Sequence, residues 1–465
     1  MYDLILLGLF LVFTVIFLYT HRAKAKKEGL LILYKTHWGI KLIDKVGKKY
    51  PRTLRVFSHI CVWLGYVLMV GVVYLVYTIV KLYVAHPEVV SQIKVPPIMP
   101  LIPYIDKVVT FLPPFYFFYW IVILAIIAIP HEFAHGIFSA YNNVKIRKTG
   151  FGFFPFFLPV FLAAFVEPDE KQMQERSNFG QRAILAAGTF ANLLTAVVFM
   201  IITWLFFAAA FVPAGVSFDS YTYSPVPLSS ITIVNNVSVN NVTMEKLQDL
   251  VVNASFNEIE AGGTSYRGIR GFYDEEIILL YDDSPAIRSG LNGAIISIND
   301  DKITNINDLT ATLSQYSPGQ EVEIKTKVKN EGMITKLTLG ENPQNESKPW
   351  LGIGFVDTGS GGIMGRVFGV LSTFKDSHIY YESSLGEFGI FIYNLLWWLV
   401  IISISVALIN MLPMGIFDGG RFFYLTILAI TKSEKAAMRS YKFMTWLFIL
   451  ALILIMVIWG IGFFG

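Results

Sequence analysis

The sequence predicts an α-helical polytopic membrane protein of about six spans, interrupted by one inserted mixed α/β domain. Three observations carry that prediction. Only 15% of the 465 residues are charged and 54% are hydrophobic, where a soluble domain has about 25% charged residues. Six apolar stretches reach the roughly 20 residues a helix needs to cross a bilayer core; they lie at roughly 1 to 20, 57 to 85, 111 to 140, 183 to 213, 389 to 412 and 443 to 465. Between the fourth and fifth lies a long polar segment with period-two alternation, which reads as strands. A soluble globular protein is thereby excluded, and a net charge of +3 gives no reason to expect a nucleic-acid partner.

The first stretch has no basic residue before it and runs directly into His21-Arg22-Ala23-Lys24, so it reads as an anchor and not a cleaved signal peptide. Residues 21 to 56 hold eleven Lys and Arg, which the positive-inside rule places in the cytoplasm. Six alternating crossings then also put Lys145, Arg147 and Lys148, and later Lys432, Lys435, Arg439 and Lys442, on that side. The segment from about 215 to 385 falls on the opposite, extracytoplasmic face. The single cysteine, Cys61, excludes an internal disulfide and a Cys-rich metal site. Residues 1–110 read as an accessory transmembrane pair joined by a basic loop.

Near the end of the third stretch stands Pro130-His131-Glu132-Phe133-Ala134-His135. Positions i and i+4 share one helix face, so His131 and His135 can reach one zinc ion while Glu132 meets its bound water. Ionisable groups at membrane depth cost a few kcal/mol and persist where they have partners or a function. A catalytic zinc commonly takes three protein ligands and leaves a position for water. Between Glu387 and Glu434 the only carboxylate is Asp418. It follows Pro413 and Gly415 and precedes Gly419 and Gly420, where broken backbone should line a cavity or be buried in protein. The alternative is a turn aspartate capping the next helix. Glu167, Asp169 and Glu170, in a charged loop, are weaker ligand candidates, and Asp3 reads as an interfacial residue.

With both elements in hand, the chain resembles the site-2 protease family of intramembrane zinc metalloproteases. That family pairs a His-Glu-x-x-His span with a later Asn-x-x-Pro-x-x-x-x-Asp-Gly pattern, here Asn410, Pro413, Asp418 and Gly419. The resemblance implies one zinc ion held by His131, His135 and Asp418, with Glu132 as catalytic base. It also implies substrate-binding roles for Asn410 and Pro413, and for Asn192 in the Gly188-to-Asn192 element of the intervening span. This sequence departs from the usual pattern at Thr189, Gly415 and Phe417, none of them a ligand. The resemblance covers about 111 to 213 and 384 to 465, the first (111–213) and second (384–465) catalytic halves. Its implied activity is cleavage of transmembrane segments of membrane-protein substrates, with a membrane scaffold as the alternative. Its implied setting is the cell membrane, with the zinc site nearer the cytoplasmic face.

Residues 150 to 166 are apolar but broken by Gly and Pro and suit a re-entrant extended segment; the family places a membrane-dipping β element here, which could receive an unwound substrate by strand addition. In the inserted domain, 214–383, the run from Ser284 to about 340 contains Gly290-Leu291, a short helix candidate at 306 to 315 and the alternating strand Glu321-Val322-Glu323-Ile324-Lys325. It resembles a PDZ domain of the protease-associated kind, which implies peptide-tail binding. The preceding stretch, 215 to 283, is expected to hold its first strands together with an insertion.

Overall fold

A computed structural model of the chain describes residues 2–28, 31–86, 97, 99, 101–109, 112–154, 160–240, 243–251, 257–273, 276–328, 331–355 and 375–464. It divides into two compact units, one of residues 1–205 and 391–465, the other of 206–390. Six helices among the described residues are long and apolar enough to cross a membrane.

In the first unit the helices are α1 (Tyr2–Thr20), α2 (Ile40–Lys49), α3 (Pro51–Ala85), α4 (Phe117–Tyr141), α5 (Asn178–Ala210), α6 (Gly386–Asn410), α7 (Asp418–Thr431) and α8 (Glu434–Phe464). All but α2 and α7 are candidate spans. Because lipid cannot satisfy backbone groups, these segments close their hydrogen bonds internally as helices. Small residues let them approach: a Cβ on Gly65 of α3 would sit 3.1 Å from Phe422 of α7 and 3.3 Å from Ala186 of α5. A second apolar cluster joins α4 to α6 through Phe115, Tyr119, Ile123, Trp398 and Leu399.

Two features hold α4 in place. The carboxylate of Asp3, on α1, accepts the backbone N–H groups of Phe117 at 2.8 Å and Phe118 at 3.0 Å and the Tyr104 hydroxyl at 2.7 Å. A helix start leaves such donors unsatisfied, and an anion there is favoured by the helix dipole. Asp3 therefore caps α4 from another helix, a role its isolated position in the sequence did not reveal. Farther along, α2 lies against α4 at glycine contacts: a Cβ on Gly136 would meet Ile43 at 2.8 Å, and one on Gly47 would meet Ala140 at 2.7 Å.

The segment expected to be re-entrant is a pair of strands, β3 (Ile146–Phe154) and β4 (Val160–Pro168); residues 155–159 lie outside the described residues. It is one half of a four-stranded antiparallel sheet in the order β1-β2-β3-β4, the other half being β1 (Ala25–Glu28) and β2 (Leu31–Thr36). The amino-terminal basic loop is thus partly strand, and residues 1–110 belong to the same compact unit as residues 111–205 and 391–465. The six residues of β2 are too few to stand out within a basic segment, and their register, Lys35 opposite Gly150 and Thr36 opposite Thr149, is set by distant main-chain partners.

The second unit contains two larger sheets. One has the order Glu331–Thr338, Glu321–Val328, Ala294–Ile298, Phe211–Val216, Ile379–Ser383 and buries Val216, Ile295, Ile298, Leu309, Val322 and Ile324 with the helix Ile306–Leu313. The other, built from residues 223–282, has its own core of Ile231, Val234, Leu247, Ile259, Ile278 and Leu280. The stretch before Ser284 therefore supplies a first strand and then an insertion with a separate core.

Two substitutions test this unit. Gly352 has φ +81°, and a Cβ there would lie 2.0 Å from the Ser284 Cβ; Gly352→Ala is expected to destabilise the domain by about 2 kcal/mol or more, read as lower resistance to proteolysis. Asp283 accepts from Arg288 at 2.7 Å and Arg267 at 2.9 Å, and Arg288 first, then Arg267, hold its carboxyl below the usual range. A depressed folded-state pKa contributes stability above the unfolded value of about 3.9 and loses it as pH falls through the folded value. Asp283→Asn should therefore be less stable than the parent at neutral pH, with the difference shrinking below about pH 4; a pH-independent difference would contradict it.

Candidate metal centre

His131 and His135 stand one turn apart on α4 and point to a common side, as the i, i+4 spacing requires. Their Nε2 atoms are 3.0 Å apart. Asp418, the first residue of α7, brings Oδ2 to 3.2 Å from His135 Nε2 and 3.7 Å from His131 Nε2. These three are the group of His, Cys, Asp and Glu side chains with metal-ligand spacing among the described residues. Ligands about 2.0 Å from a tetrahedral zinc lie about 3.3 Å from each other, and the three distances bracket that value. The donor set therefore fits a tetrahedral ion with one position left over.

The third helix of the site is α5, and it contributes one stripe. Ile184, Gly188 and Asn192 recur every four residues and so face α4 together. The Ile184 carbonyl accepts from His135 Nδ1 at 2.7 Å, which leaves His135 Nε2 as the metal-binding nitrogen. Gly188 is a steric requirement: a Cβ would lie 2.3 Å from His135 Nε2 and 2.7 Å from His131 Nε2. Asn192 is fully buried, and its amide stands 3.0 Å from His131 Nδ1. Its Oδ1 has no hydrogen-bond partner. A half-turn of the amide, which exchanges O and N at almost unchanged shape, makes that oxygen the acceptor for His131 Nδ1–H and frees Nε2 for metal.

Asp418 is placed by the break between α6 and α7. Asn410 ends α6, half-buried, and residues 411–417 turn tightly, with the Met414 N–H donating to Leu412 O at 2.7 Å and the Phe417 N–H to Met414 O at 3.1 Å. Pro413 is buried in this turn. The two glycines after Asp418 let α7 start against it: a Cβ on Gly419 would be 2.3 Å from the Met411 carbonyl carbon, and one on Gly420 would be 2.1 Å from Met414 O. The carboxylate does stand at a helix start, as the capping alternative required, yet it also meets both histidines. Its side chain is 27% exposed, against 11% and 13% for His131 and His135, so the site opens on the Asp418 side.

Glu132 lies one residue from His131 but outside the ligand group. Its Oε2 accepts the Val166 N–H of β4 at 2.9 Å, which fixes the carboxylate on the hairpin. The loop acids are engaged elsewhere: Glu167 with Lys35 at 3.0 Å, Asp169 with Arg147 at 2.9 Å and Glu170 with Arg421 at 3.0 Å. Of the expected site residues, the structure thus gathers His131, Glu132, His135, Asn192 and Asp418. Asn192 meets a ligand directly, and the hydrogen-bond partners found for the ligands among the described residues do not include Asn410. The Ile184 carbonyl and the Val166 N–H carried no sequence signal, because backbone groups are the same at every position.

The model of peptidase family M50 matches residues 119–456. The chain belongs to peptidase family M50. The matched range includes His131, Glu132, His135, Asn192, Asn410, Pro413 and Asp418. A curated relative, the zinc metalloprotease RasP of Shouchella clausii (strain KSM-K16), is 26% identical over 190 residues, which is 35% of this chain and 45% of that protein. The matching region therefore spans less than half of the relative's length. The M50 match starts after α1, α2, α3, β1 and β2, although β2 and α2 pack directly on matched elements.

Gly188→Ala and Asn192→Ala are each expected to weaken divalent-metal binding about 10- to 100-fold, the range for losing a ligand-orienting neighbour. Metal per chain after dialysis against a graded chelator measures this. Parental retention by both variants would separate the α5 stripe from the metal centre.

Proposed function

We propose that the chain is a zinc-dependent intramembrane endopeptidase of the site-2 protease type, with one ion per chain, that cuts transmembrane segments of other membrane proteins. The observation that carries this reading is the approach of Asp418 to the His131–His135 pair with Glu132 beside them. Membership in a peptidase family and the zinc metalloprotease name of the relative support it.

A zinc ion on His131, His135 and Asp418 would acidify a bound water and polarise the scissile carbonyl. Glu132 is placed to take a proton from attacking water and to return it to the leaving nitrogen, general acid–base work worth about 10²- to 10⁴-fold. The Val166 N–H holds that carboxylate in its working orientation. His135 is kept in one tautomer by the Ile184 carbonyl. A helical substrate hides its peptide bonds, so it must unwind. β4 is the terminal strand of its sheet, and an unwound segment can lie along it by strand addition, passing beside Glu132. Asn410 and Pro413, in the turn before Asp418, would border that path.

The basic residues in 21–56, 145–148 and 432–442 support a cytoplasmic placement for those segments, and so an extracytoplasmic domain in a cell membrane with the metal centre nearer the cytoplasm. The sheet containing Ala294–Ile298 and Glu321–Val328, with helix Ile306–Leu313 between those strands in sequence, supports reading this domain as PDZ-like, suited to a peptide tail. A purely structural scaffold would have no use for three converging side chains of metal-ligating type with a carboxylate beside them, so that alternative is disfavoured.

Glu132→Gln should lower cleavage of a single-span reporter by at least about 10²-fold while leaving bound metal unchanged, because Glu132 is not a ligand. A variant that cuts at the parent's rate would exclude Glu132 as the base.

A further inference from the structure

Beside Glu132 lies a small pocket, about 20 Å³, enough for one water or one methyl-sized group. Phe133 of α4 and Gly150 and Phe165 of the hairpin form part of its wall, and Thr36 and Trp38 close it from the amino-terminal segment. These last two residues precede the M50 match, which begins at residue 119. A wall of the space next to the proton-transferring group thus comes from sequence outside the family core.

That wall is firmly built. The Trp38 N–H donates to Thr36 Oγ1 at 2.8 Å, and Thr149 Oγ1 donates to the Trp38 carbonyl at 2.7 Å. Gly39 follows with φ +82°, and a Cβ there would strike the Phe133 ring at 2.6 Å, so the chain turns at van der Waals distance from the residue after Glu132. The Trp38 indole meets the Phe133 ring edge-on at 5.9 Å, yet remains 66% exposed. The Trp38 backbone is thus fixed on both sides beside the pocket.

We propose that Trp38 is a specificity-determining residue: its indole limits the pocket beside Glu132 to a small substrate side chain next to the scissile bond. The proposal rests on the reading of Glu132 as the group that moves the proton. The occupant follows from position. Val166 turns its N–H to Glu132, so a substrate strand running along β4 passes the pocket at the level of the reacting group. A mostly apolar space of one methyl's volume then admits Ala or Gly and rejects Leu or Phe.

The test uses the full-length chain with single-span reporters that differ only in the residues flanking the cut, carrying Ala, Leu or Phe. The parent should cut the Ala reporter with at least tenfold higher kcat/KM than the Phe reporter. Trp38→Ala should reduce that ratio at least tenfold, with metal content at the parent's level. Trp38→Phe, which keeps an aromatic ring on Phe133, should move the ratio in the same direction by a smaller factor and serves if the alanine variant does not fold. An unchanged ratio in a folded, metal-bound variant, or a parent that cuts all reporters equally, overturns the subsite while leaving the protease reading intact. A parent that cuts no reporter overturns the protease reading, and the subsite falls with it.

Discussion

The structure depends on holding two imidazoles and a carboxylate within 3.0 to 3.7 Å of one another among helices whose outer surfaces suit lipid. Such groups are costly to bury unless each is paired, and here each has a defined neighbour. The neighbours require close helix approach, and glycine provides it. At Gly188 the α5 backbone comes near enough to the histidines that no side chain fits between, and at Gly419 and Gly420 the α7 backbone rests on the turn that precedes it. These contacts are steric, so they specify geometry in a way that apolar contact among similar side chains does not.

Glu132 is set by a different element. Glu132 is anchored to β4, and β4 belongs to a sheet whose other half, β1 and β2, comes from the amino-terminal segment. The glycine contacts of α2 on α4 and the capping of α4 by Asp3 extend the same arrangement. Helix α4 is thereby fixed near its start by α1, along its length by α2 and α5, and at Glu132 by the hairpin. The amino-terminal elements α1, β1, β2 and α2 are part of the frame of the site.

Much of this was legible in the sequence. The membrane helices are visible because a bilayer demands a run of apolar residues whatever the fold, and the ligands are visible because His131, His135 and Asp418 are ionisable groups in apolar surroundings. The strand Glu321–Val328 and the helix Ile306–Leu313 follow from alternation and turn residues. What was hidden depends on backbone or on distant partners. Strand β1 is charged and β2 is a short apolar run inside a basic segment, so the stretch reads as a loop. Asp3 looks like one acid at the edge of a span until Phe117 and Phe118 are seen to need a cap. The insertion within 215–283 was expected, but its six-stranded sheet has pairings that no local pattern specifies.

The two histidines and the aspartate are separated along the chain by the whole of the second unit. During synthesis the imidazoles leave the ribosome first, and the carboxylate follows only after that domain has been made. A nascent chain therefore has an incomplete set of candidate metal ligands through most of its translation, and the centre can close only once the second unit has been made.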